Sequence, residues 1–277
     1  MKKLERITSK SNRLVRLAHA VVHMPKRAKK EGLFAVEGLR LAESIMQSEW
    51  RIRFAFFTDR GGESLAAAQL VEKLCERRTP VYLISDELCA ALSDTDTPQG
   101  VLLIAERDPG TPLKRFMRPC SNEPHPLYVI LDRVQDPGNV GTILRTAVAA
   151  GASGIVLLRG CADIYNNKVV RAAMGGLFYM NVAQGVEEKD FLQWAQERSL
   201  NLYAAACDDM AQEHIHTDFT KTTAVVFGNE ANGVSSAILA RARRVYVPMF
   251  GPVESLNVSA AAAVILYECV RQRIFVE

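Results

Sequence analysis

Three polar turns, each placed after a short apolar run, constrain this chain more than anything else in it. They read Asp136-Pro-Gly-Asn-Val-Gly-Thr-Ile-Leu-Arg145, Gly228-Asn-Glu-Ala-Asn-Gly233 and Glu254-Ser-Leu-Asn-Val-Ser259. The runs before them, Leu127 to Leu131, Ala224 to Phe227 and Val245 to Met249, have the length and apolar character of strands buried on both faces of a parallel sheet. Parallel strands end at the same edge, so the three turns are expected to gather there. That carboxyl edge is where open α/β sheets bind ligands.

The rest of the chain supports an α/β reading. Apolar runs at Ile155–Leu158, Met180–Ala183 and Leu202–Ala205 bring the strands after residue 127 to about six, separated by helical stretches. This predicts a mostly parallel sheet covered on both faces. Before it, strands at Phe34–Val36, Ile52–Phe57, Val81–Ile84 and Val101–Ala105 alternate with helices near Leu39–Gln47, Ser64–Arg77 and Asp86–Leu92, a smaller α/β domain over 31–106. Five of the eleven prolines, at 109, 112, 119, 124 and 126, fall in the stretch between. Proline at that density stiffens a linker, here 107–126. A chain of 277 residues, 48% hydrophobic and 23% charged, has core enough for two such domains of a soluble protein.

The net charge of +3 hides an asymmetry. Residues 1–30 hold ten Lys or Arg against one acid, Glu5, leaving 24 basic and 30 acidic residues elsewhere out of 34 and 31. Clustered cations of this kind track nucleic-acid phosphates through counterion release, although a solvated helix face or a mitochondrial presequence has the same composition. Leu14, Leu17, Ala18, Val21 and Val22 fall on one helical face, with Arg13, Arg16 and His23 off it, so the segment is an amphipathic helix whatever its partner. The six cysteines lack a Cys-x-x-Cys spacing and read as buried free thiols in a reducing cytosol. No segment approaches bilayer-spanning length. The expectation is a cytoplasmic protein with no membrane partner.

Side chains in the turns narrow the chemistry. Pro137-Gly138 bends the chain out of its strand, and Asn139 is suited to cap the helix that follows. Val140, Ile143, Leu144, Ala147 and Val148 form that helix's apolar face, Gly151 closes it, and Arg145 projects about 100° from Leu144. Glu230 stands between Asn229 and Asn232, with Gly228 and Gly233 at the ends of its turn. Ser255 and Asn257 bracket Leu256 before a helix of small residues, Ser259 and Ala260 to Ala263. These amides, hydroxyls, one carboxylate and one guanidinium need neither a metal nor a covalent nucleophile. His214 and His216 read as structural or exposed, no histidine lies in a motif turn, and no Gly-x-Gly-x-x-Gly follows a predicted strand.

In order and spacing the three turns closely resemble the motifs of the SpoU (TrmH-type) RNA ribose 2'-O-methyltransferases. Leu131-Asp132 through Ala147 is similar to the first motif, Val226 through Ser235 to the second, and Val247-Pro-Met through Glu268 to the third. Phe34-Ala-Val-Glu-Gly-Leu-Arg40 and Pro98-Gln-Gly-Val101 resemble that family's substrate-binding domain. The resemblance implies a SPOUT-type domain over 127–277 with a deep trefoil knot, S-adenosylmethionine as cofactor, RNA as substrate, and a homodimer with the site near the subunit interface. Carried over by position, Asn139, Arg145, Glu230, Ser255 and Asn257 match catalytic or substrate-positioning residues, and Gly228, Val247 and Leu256 match cofactor-contacting positions.

In the family's mechanism Arg145 assists deprotonation of the attacking hydroxyl. A guanidinium with a pKa above about 12 is a poor base, so stabilising the alkoxide or anchoring a phosphate stays open beside that role. The resemblance makes Glu230 the group that orients Arg145 or the ribose, while Ser255 and Asn257 hold loop and nucleotide. The two-domain form with a basic start looks more like the family's ribosomal-RNA enzymes, 23S RNA foremost, than its shorter transfer-RNA members. Transfer RNA, methylation of a base, and a catalytically silent RNA-binding protein of the same fold are the alternatives.

Overall fold

The structure, a computed structural model, describes residues 4–108, 113 and 125–274. They form two compact units. One holds the described residues up to Asp108 together with Tyr165–Phe178, and the other holds the remainder. Of the proline-rich stretch 107–126, all but residues 107, 108, 113, 125 and 126 lie outside the described residues.

The first unit is built on five strands, β1 (Glu5–Arg6), β2 (Leu33–Glu37), β3 (Ile52–Phe57), β4 (Val81–Leu83) and β5 (Val101–Glu106), in the order β1-β4-β3-β5-β2. β5 runs antiparallel to both neighbours, and the other pairings are parallel. Its helices are α1 (Arg13–His23), α2 (Pro25–Glu31), α3 (Leu39–Met46), α4 (Leu65–Glu76) and α5 (Asp86–Leu92). Alternate strand residues point to the same face, so Leu33 and Ala35, Phe54 and Phe56, and Leu102 and Ile104 share one core with Leu88 and Leu92 of α5. The apolar stripe expected on α1 is spent in that core. Val15, Ala18, Val21 and Val22 are buried there, with Leu14 and Leu17 packed at its margin. The basic first segment is therefore built into a folded unit, beginning with β1, whose Arg6 makes two hydrogen bonds to Asp59, at 3.0 and 2.6 Å.

Seven parallel strands form the second unit: β6 (Leu127–Asp132), β7 (Gly154–Leu158), β8 (Val182–Val186), β9 (Asn201–Ala205), β10 (Gln212–Glu213), β11 (Thr223–Gly228) and β12 (Arg243–Tyr246). Their order is β10-β12-β9-β11-β6-β7-β8. Between Tyr165 and Phe178, α7 (Asn167–Ala172) belongs to the first unit. Helices α8 (Glu188–Glu197) and α9 (Ser236–Leu239) cover one face, where Phe191, Trp194 and Ile238 pack against Tyr128, Ile130, Val156 and Val226. On the other, α6 (Pro137–Ala149) and α10 (Val258–Ile274) pack together and touch β7 and β11.

The carboxyl half of α10 is tied down by polar contacts. Gln272 accepts from Phe219 N at 2.8 Å and donates to Thr217 O at 2.8 Å, while Arg273 donates to Phe219 O at 3.0 Å. Buried Glu268 accepts two hydrogen bonds from Arg271 and one from Gln272. The Arg271 guanidinium holds the Glu268 carboxyl below the usual carboxylate range.

Three expectations change. The run at Val245–Met249 is a strand only as far as Tyr246, which leaves Val247–Met249 in the segment beyond it. The run at Met180–Ala183 becomes a strand two residues later, at Val182–Val186. Cysteines are not uniformly buried. Cys89 and Cys269 are, Cys161 is half-buried, and Cys75 and Cys207 are exposed; Cys120 lies outside the described residues. Burial pushes the thiols of Cys89 and Cys161 up to about 11 and that of Cys269 to about 12. No helix among the described residues is long and apolar enough to cross a membrane.

Candidate active site

Strands β6 and β11 are adjacent and in register, with Asp132 opposite Gly228. The first two turns therefore leave the sheet side by side. Asp132 is charged yet only 2% exposed, and it is satisfied in three ways. Arg133 donates to its two oxygens at 2.8 and 3.0 Å, and the Ser235 backbone N–H donates at 2.7 Å. Arg133 sits at φ 58°, a left-handed conformation that costs a non-glycine residue about 1–2 kcal/mol. The end of the first strand thus grips the exit of the second turn.

Asn229 folds that turn from within. Its side-chain oxygen accepts from the N–H groups of Ala231 and Asn232, both at 3.0 Å, and its amide donates to Arg133 O at 2.9 Å. Two backbone bonds between Asn229 and Gly233, 3.1 and 2.8 Å, close the loop. Gly228 permits the closure: a Cβ there would lie 2.2 Å from Gly233 C. Glu230 is left exposed at the tip.

Asn139 joins all three turns. Its side chain donates to Glu230 Oε1 at 2.8 Å and accepts from Asn257 Nδ2 at 3.1 Å. The sequence reading of Asn139 as the helix cap is corrected here. Asp136 is the cap, accepting from Asn139 N at 2.8 Å. With the orphan N–H satisfied by the residue three positions earlier, the Asn139 amide is free to bridge. Asn257 in turn accepts from Ser259 N at 2.9 Å and Ser259 Oγ at 2.6 Å, fixing the start of α10.

Beside this network is a cavity of about 420 Å³, a size suited to a small ligand. Phe227, Val245, Leu256, Ala261 and Ile265 supply apolar wall, and Gly228, Val247, Glu230, Ser255 and Asn257 also line it. The two carboxylates in the lining are Glu230 and Glu254, and no Lys or Arg is among these groups. Such a cavity suits an aromatic ring attached to a cationic or neutral group. It is a poor host for a bare phosphate.

Of the expected site residues, Asn139, Glu230 and Asn257 are thus hydrogen-bonded together, and Ser255, Gly228, Val247 and Leu256 share the cavity. Arg145 is exposed, makes no hydrogen bond or ion pair among the described residues, and does not line the cavity. Six residues beyond Asn139, it lies about 9 Å along α6 and roughly 120° around it. Asp132, Asp136 and Asn229 were not singled out from sequence as site residues. The available signal for Asp132 was a single charge ending an apolar run. Among the described residues no cluster of His, Cys, Asp and Glu could hold a metal ion.

Comparison with known proteins places this geometry. Residues 126–267 match the SpoU rRNA Methylase family, and residues 18–103 match the MRM3-like substrate binding domain. An uncharacterized tRNA/rRNA methyltransferase of Synechocystis is 34% identical, over 96% of this chain and 94% of that protein. The 23S rRNA (guanosine(2553)-2'-O)-methyltransferase RlmP of Bacillus subtilis is 30% identical, over 89% and 92%. A crystal structure of an AdoMet-bound rRNA methyltransferase from Sinorhizobium meliloti superposes with a TM-score of 0.86 at 29% identity, covering 97% of this chain and 98% of that one. With the family model spanning half of the sequence and a relative 34% identical over nearly its whole length, this chain belongs to the SpoU rRNA methylase family.

Proposed function

We propose that this protein transfers a methyl group from S-adenosylmethionine to a ribose 2'-hydroxyl of ribosomal RNA, with 23S RNA as the substrate. The observation that carries the reading is the cavity walled by apolar groups and carboxylates, with Asn139 tying its two polar loops to α6. Bound there, the cofactor supplies a methyl group activated by its sulfonium charge. Glu230 and Glu254 set negative charge along the cavity, favourable to that cation.

The transfer is a displacement: the ribose oxygen must line up with the methyl carbon, the new carbon–oxygen bond forms as the carbon–sulfur bond breaks to leave a neutral thioether, and the hydroxyl proton passes to water. Gly228, Val247 and Leu256 hold the cofactor. Glu230 and Asn257, fixed through Asn139, orient the ribose, and Ser255 supports the loop. Fixing rotations before reaction contributes several kcal/mol in well-oriented systems, up to about 7–11. Arg145 acts on the nucleotide, by stabilising the developing alkoxide or by holding its phosphate.

A homodimer belongs to the same reading. Val264, Tyr267 and Ile274 are exposed along α10, and Phe250 is 97% exposed; apolar surface of this kind marks an interface. Arg145 lies on α6, which packs against α10, so this reading sets the site near the subunit interface. The deep knot is part of the proposal too, supported by β12, the last strand in sequence, lying inside the sheet between β10 and β9. A cytoplasmic location is supported by five described cysteines, all unpaired.

The test is Arg145→Ala with unmethylated ribosomal RNA as substrate. Cofactor binding by calorimetry is expected to persist while methyl transfer is lost, and nucleoside analysis of the wild-type product is expected to find the methyl on ribose. Near-normal turnover removes Arg145 from the mechanism, and a methylated base overturns the ribose assignment.

A further inference from the structure

We propose that the outer face of α1 and α2 is a rigid track for the RNA phosphate backbone, an inference that rests on RNA being the substrate. On α1 the exposed residues Arg13, Arg16, His19 and His23 follow one another at spacings of three, three and four, so they lie on one helical face. Successive members advance about 4.5–6 Å and the row extends about 15 Å. The His19 and His23 rings are 4.6 Å apart, which keeps the row continuous. On α2, Lys26, Lys29 and Lys30 continue the exposed positive surface.

Two observations separate this surface from an ordinary solvated face. First, its charge is not used within the protein. Arg13, Arg16, Lys26, Lys29 and Lys30 have no ion-pair partner among the described residues, whereas Arg27 approaches Glu31 at 3.8 Å. Secondly, the charge on α1 is misplaced for helix stability. Arg13 and Arg16 stand in the first turn of α1, which holds no acid, against the positive end of the helix dipole. The same helix is fixed by Asn12, whose side chain accepts from Leu14 N at 2.8 Å, and by Val15, Ala18 and Val21 in the core. The helix backbone that carries Arg13 and Arg16 is fixed before any partner arrives. An unpaired, preorganised row of cations fits a polyanion with regularly repeated charge.

Truncating the segment would unfold the unit, so the test changes charge alone. A variant carrying Arg13→Gln, Arg16→Gln, Lys26→Gln, Lys29→Gln and Lys30→Gln keeps every core residue. Binding to protein-free large-subunit ribosomal RNA and to an oligouridylate is followed by fluorescence anisotropy over a range of KCl concentrations. Circular dichroism and cofactor calorimetry serve as controls. If the five cations each neutralise one phosphate, the slope of log K against log salt becomes shallower by about 3.5 on the single strand, and affinity falls more than tenfold. A variant that methylates RNA and binds both probes with the wild-type slope overturns the track and leaves the methyltransferase reading standing. A wild-type protein that binds RNA with the steeper slope yet transfers no methyl group overturns that reading and keeps the track.

Discussion

Gly228 and Gly233 bound one loop, yet they do opposite things, and replacing each with alanine separates the two. At Gly228 the backbone suits any residue, and the obstacle is space. A Cβ would lie 2.2 Å from Gly233 C and 2.3 Å from Val234 N, more than about 1 Å inside ordinary van der Waals contact. Those neighbours are backbone and cannot rotate away. Relief requires the loop to open, losing the two Asn229–Gly233 backbone bonds and straining the bond from Ser235 N to Asp132. At about 1 kcal/mol for each such bond, the cost is about 2–4 kcal/mol, near the range for overpacking generally. At Gly233 nothing lies within 4 Å of a new Cβ, and the obstacle is φ +63°. Alanine there costs about 1–2 kcal/mol from the left-handed conformation alone. In a domain of this size each kcal/mol lowers Tm by about 2–4 °C, so Gly228→Ala is expected to melt roughly 4–16 °C lower and Gly233→Ala roughly 2–8 °C lower. Gly228 and Gly233 both line the cavity, but only a Cβ at Gly228 forces the loop open, so calorimetry should find S-adenosylmethionine affinity reduced more than tenfold in the first variant and less in the second. The reasoning is refuted if Gly233→Ala is the more damaging, or if Gly228→Ala binds the cofactor as wild type does.

Two further outcomes follow from the same geometry. Asn139→Ala removes the bonds to Glu230 and Asn257, about 1–2 kcal/mol at a partly exposed site, while alanine returns about 0.5 kcal/mol of helix propensity. Stability should change by about 1 kcal/mol and kcat should fall tenfold or more, with cofactor affinity nearly constant because Asn139 does not line the cavity; unchanged kcat would dismiss the bridge. Maleimide at pH 8 should label exposed Cys75 and Cys207 but spare Cys89, Cys161 and Cys269, whose thiols, raised to about 11, 11 and 12, are ionised to about one part in a thousand or less. S-adenosylmethionine should protect Cys207, which lines the cavity, and leave Cys75 reactive; peptide mapping that finds native Cys269 labelled contradicts this. Since these three thiols hold their protons more tightly folded than unfolded, their contribution is complete below about pH 8.5 and lost as pH rises toward 11–12. Urea titrations should show stability falling over that interval.

Much of the parallel sheet was legible because buried strands leave a plain signature. Leu127–Leu131 and Ala224–Phe227 are apolar throughout, and both became central strands with every residue buried. Where pairing rather than composition makes the strand, the signature fails. β1 and β10 are two residues each and exist because β4 and β12 offer them an edge. β12 opens with Arg243 and Arg244, which pair with Tyr203 and Ala204 of β9, so its apolar tail was legible and its beginning was not. The cap of α6 fails for another reason. Asp136 and Asn139 are both good capping residues three positions apart, and only the folded backbone decides that Asp136 takes the role.

The site divides along the same line. Parallel strands alone bring the first two turns together, since Asp132 and Gly228 are register partners, and the strand pattern carried that much. The third turn cannot arrive this way. β12 is separated from β11 by β9, and Glu254 comes eight residues after β12 ends at Tyr246. What brings Asn257 to Asn139, 118 residues away in sequence, is the packing of α10 on α6, and helix contact of that kind has no local signal in either segment. α10 can hold its first turn against Asn139 because its last turns are fixed elsewhere, through Gln272 to Thr217 and Phe219 and through Arg273 to Phe219. Glu268, buried one turn before Gln272 and bonded to it, links that anchor to the helix body. The two ends of α10 therefore divide the work: the residues that shape the cavity sit at one end of the helix, and those that hold the helix still sit at the other.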